Sequence, residues 1–147
     1  MDSSIRGLEC ILDSYYNHIG ELLRILAVDG YSFYIPWCLL SNHHEIKHPP
    51  NVAVSTNELL QLASATIWEL ELQIYPAGQA KEDFETYDEF LTSQCQCVLI
   101  YYDCGCTELY FKDIAQLQNI WSKLTFIGAE NLTLKTDQSD GRTSPHL

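Results

Sequence analysis

No stretch of this chain approaches the roughly 20 consecutive apolar residues that a membrane-spanning helix needs, so no such helix is expected. The opening MDSSIRGLEC lacks a basic region followed by an apolar one, which argues against a secretion leader and points to the cytoplasm. Basic residues are scarce: eight Lys and Arg stand against 20 Asp and Glu, for a net charge of -12. Phosphate binding rests on clustered Lys and Arg, so this composition speaks against nucleic acid and against an anionic membrane surface. Signature motifs are missing too. G-x-S-x-G, G-x-x-x-x-G-K, H-E-x-x-H and G-x-G-x-x-G do not occur, which removes the commonest hydrolase, nucleotide and zinc-protease chemistries and leaves no cofactor expected.

What is present is an ordinary globular composition. The 147 residues are 46% hydrophobic and 19% charged, enough for one domain burying about 70% of its unfolded surface. The stretch Phe84–Asp103, FETYDEFLTSQCQCVLIYYD, is the most informative. It reads as an acidic helix start, a polar break and a strand apolar on both faces, the mark of a central strand.

Along the chain, Arg6 to Leu12 reads as a strand. Asp13 or Ser14 then caps a helix to Val28, with Tyr15, Ile19, Leu22, Leu23 and Leu26 on its buried face. Tyr31 to Trp37 alternates, and Pro36, which lacks an N–H, falls either on a sheet edge or at the strand's own end; an edge there offers pairing to a second copy. Ser55 and Glu58 form a capping box, and Ile67 to Tyr75 alternates with Glu69, Glu71 and Gln73 facing water. Cys95 to Tyr102 and Cys106 to Phe111 form a hairpin with Gly105 supplying a positive φ, so that Asp103 pairs with Cys106 and Cys97 with Lys112. A helical stripe from Ile114 to Leu124 stops at Gly128, Asn131 to Lys135 is a last strand, and residues 137–147 are a polar tail. The expected architecture is α+β, a single domain over residues 1–136 with a mainly antiparallel or mixed sheet and about four helices packed on it.

Candidate sites are few. Cys95 and Cys97 sit about 20 Å along the hairpin from Cys104 and Cys106, too far for one zinc site or a disulfide. His43, His44 and His48 lie beside Pro49 and Pro50, which remove the helical spacing a metal pair would need, so no metal is expected. Glu69 and Glu71 share a strand face, but a solvated one, where neither is tuned for acid–base work. Glu82, Asp83, Glu85, Asp88 and Glu89 form an acidic run, with Thr86 and Glu89 at capping-box spacing.

Several segments carry a resemblance to a family. Ile5-Arg6-Gly7, Ile19 to Leu23, Thr86-Tyr87-Asp88-Glu89-Phe90-Leu91, Val98-Leu99-Ile100 with Asp103, Tyr110, Lys112 and Asp140-Gly141-Arg142-Thr143 resemble the small bacterial proteins of domain of unknown function 2691, of spore-forming Gram-positive bacteria and relatives. The likeness weakens between about residues 40 and 66. It implies kinship and no particular activity.

Two expectations follow. One is a non-enzymatic protein-binding domain, of the inhibitor or immunity kind, that docks a basic protein through Glu69, Glu71 and the acids of 82–89. The other is a small enzyme or ligand-binding domain whose site gathers Tyr101, Tyr102, Asp103, Asp140 and Arg142, with an Arg142–Asp103 clamp as its structural alternative.

Overall fold

Two apolar strands set the centre of the structure. Cys97–Tyr102 and Cys106–Phe111 are buried on both faces for nearly all their length. The computed structural model describes residues 4–41, 45, 49 and 51–147. Among them the order is β1 (Ile5–Ile11), α1 (His18–Leu26), β2 (Tyr31–Leu40), α2 (Thr56–Leu62), β3 (Ile67–Pro76), α3 (Tyr87–Thr92), β4 (Cys97–Tyr102), β5 (Cys106–Phe111), α4 (Ile114–Ile127) and β6 (Glu130–Thr136). This is the succession the sequence predicts. The strands form one antiparallel sheet in the order β2-β3-β4-β5-β1-β6, with β4 and β5 central, so the domain is α+β. No described helix is long and apolar enough to cross a membrane.

Helices α1, α2 and α4 cover one face of the sheet. Leu22 and Leu23 of α1, Leu59 of α2 and Leu117, Ile120 and Leu124 of α4 meet Leu8, Leu72, Leu99 and Leu109 in the main core. The predicted capping box at Ser55–Glu58 is present, and Gly128 ends α4 at φ 95°, the left-handed conformation glycine tolerates. The first helix begins later than expected. Asn17 adopts φ 53° and breaks the run, so α1 starts at His18. Tyr15 and Tyr16 therefore fall outside the helix, 86% and 64% exposed, and Tyr15 is not a core residue.

The opposite face, expected to be solvated along β3, is covered. Tyr34, Tyr75, Phe84, Tyr87, Phe90, Val98, Ile100 and Tyr110 build a second, aromatic cluster there. Its roof is the segment 77–96, an arm that includes α3. The adjacent part of the face lies beneath residues 137–147, whose side chains bond to Glu71 of β3 and Glu108 of β5. As a result Glu71 is only 5% exposed and Gln73 only 1%, where alternation had placed both in water.

The hairpin register differs by one residue from expectation. Tyr102 pairs with Cys106 and Cys97 with Phe111, because the loop has three residues, Asp103 and Cys104 at φ 50° and 55° and then Gly105, whose amide donates to the Tyr102 carbonyl at 3.2 Å. Gly105 is not the positive-φ residue; a Cβ there would stand 2.9 Å from the Leu12 carbonyl oxygen. Cys95 and Cys97 lie at the strand end away from Cys104 and Cys106. β2 is an edge strand with an irregularity spanning Pro36, but part of its outer side is occupied: the Val54 amide donates to the Phe33 carbonyl at 2.8 Å, and Leu39 bridges Glu45. His43, His44 and His48 lie outside the described residues.

Candidate functional site

Strand pairing collects charge on the aromatic face. Glu108 on β5 stands opposite Glu9 on β1, while Tyr110 stands opposite Gly7 and Gly7 opposite Lys135 on β6. Gly7 is required by close approach: a Cβ there would lie 1.8 Å from the Leu109 carbonyl oxygen. Lys135, 4% exposed, bonds Glu108 at 2.6 Å and reaches Asp140 at 3.2 Å and Glu9 at 3.5 Å. Arg142 approaches Glu108 from the other side, with Nε at 3.0 and 2.9 Å from its two oxygens and a further contact from Nη2 at 2.9 Å. Asp140 also accepts from Arg6 at 3.4 Å and from the Tyr110 hydroxyl at 3.0 Å.

The groups tune one another. Burial works to raise the Glu108 carboxyl, but the bonds from Lys135 and Arg142 outweigh it and hold the group below the usual carboxylate range. Asp140 is likewise held low against its burial by the Arg142 amide and Lys135. Burial would lower Lys135, yet Glu108 and Asp140 keep it above its ordinary value. Three cations, Arg6, Lys135 and Arg142, meet three carboxylates, Glu9, Glu108 and Asp140, so the network is neutral in sum. The chain's charge of -12 therefore resides outside it.

A second pin lies further along the tail. His146 Nδ1 stands 2.9 Å from Glu71 Oε2, and its Nε2 meets the Phe84 carbonyl. Both partners are acceptors, so the ring satisfies them together only when doubly protonated. The Glu71 bond, opposed by burial, raises the His146 pKa above its ordinary value. The ring stacks on Phe84 at 5.0 Å, and the Leu147 amide donates to Glu71 Oε1 at 2.9 Å.

Of the residues singled out from sequence, the structure brings Asp140 and Arg142 together, and the Arg142 amide donates to Asp140 Oδ1 at 3.1 Å. Asp103 does not join them. It is exposed in the hairpin turn, and Arg142 clamps Glu108 instead. Tyr102 does lie near Arg142, whose guanidinium sits 5.3 Å from the ring centroid. Tyr101 faces the helix-covered core, where burial pushes its hydroxyl up to about 12 and leaves the oxygen without a hydrogen-bond partner among the described residues. Glu69 accepts from Trp37 Nε1 at 2.8 Å. On the arm, Glu82 is half-buried and accepts from the Gln94 amide, whereas Asp83, Glu85, Asp88 and Glu89 are exposed. Thr86 caps α3 as expected, while the Glu89 carboxylate turns back to the Glu85 amide at 2.8 Å.

Sequence reasoning missed Arg6, Glu108, Tyr110, Lys135 and His146. A faint signal existed for one of them: Glu108 interrupts the mostly apolar, buried strand CTELYF, whereas Lys135 sits among the polar residues of ENLTLKT and carried none. The arrangement is that of a closed clamp. Among the described residues, Glu108 is held by Lys135 and Arg142 and Asp140 by Lys135 and Arg6. Among the described residues no group of three or more His, Cys, Asp or Glu is placed to hold a metal ion.

Comparison with known proteins bears on kinship. Uncharacterized protein YncE of Bacillus subtilis (strain 168) is 34% identical over 79 residues, 51% of this chain and 49% of that protein, so the chain spans about half the length of this curated relative. No solved structure matches. The family model described as "Protein of unknown function (DUF2691)" matches residues 5–146, and the chain belongs to that family.

Proposed function

We propose that this chain is a non-enzymatic, cytoplasmic protein-binding domain, of the inhibitor or immunity kind, that docks a basic partner through its acidic arm. One observation carries the reading. Phe84, Tyr87 and Phe90 are buried while Asp83, Glu85, Asp88 and Glu89 between and beside them are exposed. The aromatics fasten the arm to the sheet, so the carboxylates are presented from a fixed scaffold, which lowers the ordering cost of binding.

The distribution of cations supports the same reading. Arg6, Lys135 and Arg142 are engaged in the interior network, and Lys112 turns to the Ser93 carbonyl. On the arm, Lys81 pairs with Asp83 at 3.3 Å, and Glu85, Asp88 and Glu89 keep their charge outward. Such a field steers a cationic partner and gives salt-sensitive association. The other expectation, a ligand site around Asp103 and Arg142, gains no support from a guanidinium already engaged by Glu108 and the His146 carbonyl.

The test is parallel capture from host lysate with the wild-type chain and with Glu85→Lys/Asp88→Lys/Glu89→Lys. A basic protein retained by the first and lost by the second is the expected result. Equal capture by both would remove the arm from the interface.

A further inference from the structure

One opening into the main core lies beside β2. Between α1, α4 and one end of the sheet, Ile25, Leu26 and Ile120 from the helices and Ile74, Cys97 and Phe111 from the strands line a cavity of about 230 Å³. An apolar cavity of roughly 150 Å³ already binds benzene, so this one has room for a ring and a short side chain. Its mouth is polar, with Gln96, Gln116, Asn119 and Lys123. Gln116 Nε2 donates to the Tyr31 hydroxyl at 3.4 Å, joining α4 to β2 beside the opening.

Lys123 gives the cavity a chemical preference. Among the described basic residues, Arg6, Lys81, Lys135 and Arg142 are ion-paired, Arg24 donates to Ser64, and Lys112 donates to Ser93. Lys123 has neither an ion pair nor a hydrogen bond among the described residues, although the chain carries a net charge of -12. In a protein so rich in carboxylates, an unpaired ammonium at the lip of an apolar cavity is positioned for a carboxylate from outside. A second cleft shares Ile25 and Lys123 and runs on between α1 and α4 past Glu21, Arg24 and the 90% exposed Phe126. Both openings therefore meet at the same cation.

We propose that this cleft binds a small apolar carboxylate, an aromatic or short aliphatic acid, whose hydrocarbon end fills the cavity and whose carboxylate meets Lys123 with the Gln116 and Asn119 amides. Burial of the apolar end supplies the affinity, and the ammonium selects the acid over its neutral counterpart.

The test is a titration of the isotope-labelled protein with phenylacetate, and with neutral 2-phenylethanol as control, read by backbone amide shifts. The expected result is saturable shifts at Val28, Gln96 and Asn119, with the acid roughly five-fold tighter than the alcohol, the scale of one exposed ion pair. Lys123→Gln, an exposed position where the fold is not at stake, should bring the acid down to the affinity of the alcohol and leave the alcohol unchanged. No saturable shift at millimolar ligand, shifts centred elsewhere, or equal affinities for acid and alcohol in the wild type would overturn the proposal.

Discussion

Lys135→Met is the sharpest probe of the interior network. The substitution keeps the stem's volume and removes the ammonium that bonds Glu108 at 2.6 Å and reaches Asp140 at 3.2 Å. The side chains of these two carboxylates are 6% and 1% exposed, so water cannot take over. Removing one partner of a buried pair costs about 3–5 kcal/mol. Arg142 still holds Glu108 and Arg6 still holds Asp140, which places the expected loss near the lower end, about 3 kcal/mol. For a chain of this length that is a fall of roughly 6–12 °C in Tm.

The pH dependence supplies a second reading of the same variant. Both carboxyls have folded pKa values held below their unfolded ones, so their contribution is present above the unfolded carboxylate range and lost as pH falls through the lowered values. Lys135→Met relieves that depression. Its deficit should be largest at neutral pH and shrink in acid. Urea unfolding followed by tryptophan fluorescence measures both effects. A loss under 1 kcal/mol at neutral pH, or one that does not change with acid, would refute the argument that this network is dry and paired.

His146 gives a pH dependence of the opposite sign. Its raised pKa means its stabilisation is full below its unfolded value of roughly 6.5 and is lost as pH rises through the folded value; His146→Ala should be less stable in mild acid and flatter above it, checked by Tm against pH. Gly7→Ala should cost about 4 kcal/mol or more, because its Cβ would lie 1.8 Å from a backbone oxygen in the neighbouring strand; chemical denaturation measures it, and a near-neutral result would contradict the close approach. Cys104→Gly should stabilise by about 0.5–1 kcal/mol by relieving a side chain at φ 55°, read as a rise in urea midpoint.

Much of the architecture was legible because local signals agreed. The two-faced apolar run at Val98–Ile100 marks the sheet centre, Ser55 with Glu58 starts α2, and Gly128 stops α4. The aromatic face was hidden for a physical reason. Alternation in β3 shows that Glu69, Glu71 and Gln73 share a face, but what covers a face is decided by segments distant in sequence. Here the cover is the arm and a polar tail whose composition reads as solvated, yet which pins itself through Asp140, Arg142 and His146. The hairpin was read one residue out because glycine is the ordinary choice for a positive φ, and this turn uses Asp103 and Cys104. The Asp140–Arg142 pair was found by position; its partners were not, since Glu108 looks like an isolated lapse in a mostly apolar strand and Lys135 like one more polar residue of the mixed strand ENLTLKT.

The claim that the outward acids of the arm form the docking face is tested most directly by the affinity of the wild-type chain and the Glu85→Lys/Asp88→Lys/Glu89→Lys variant for a captured basic partner, measured across a salt series. The account predicts wild-type binding that weakens steadily with salt and a variant that does not bind at any salt concentration. Wild-type affinity indifferent to salt, matched by the variant, would contradict it.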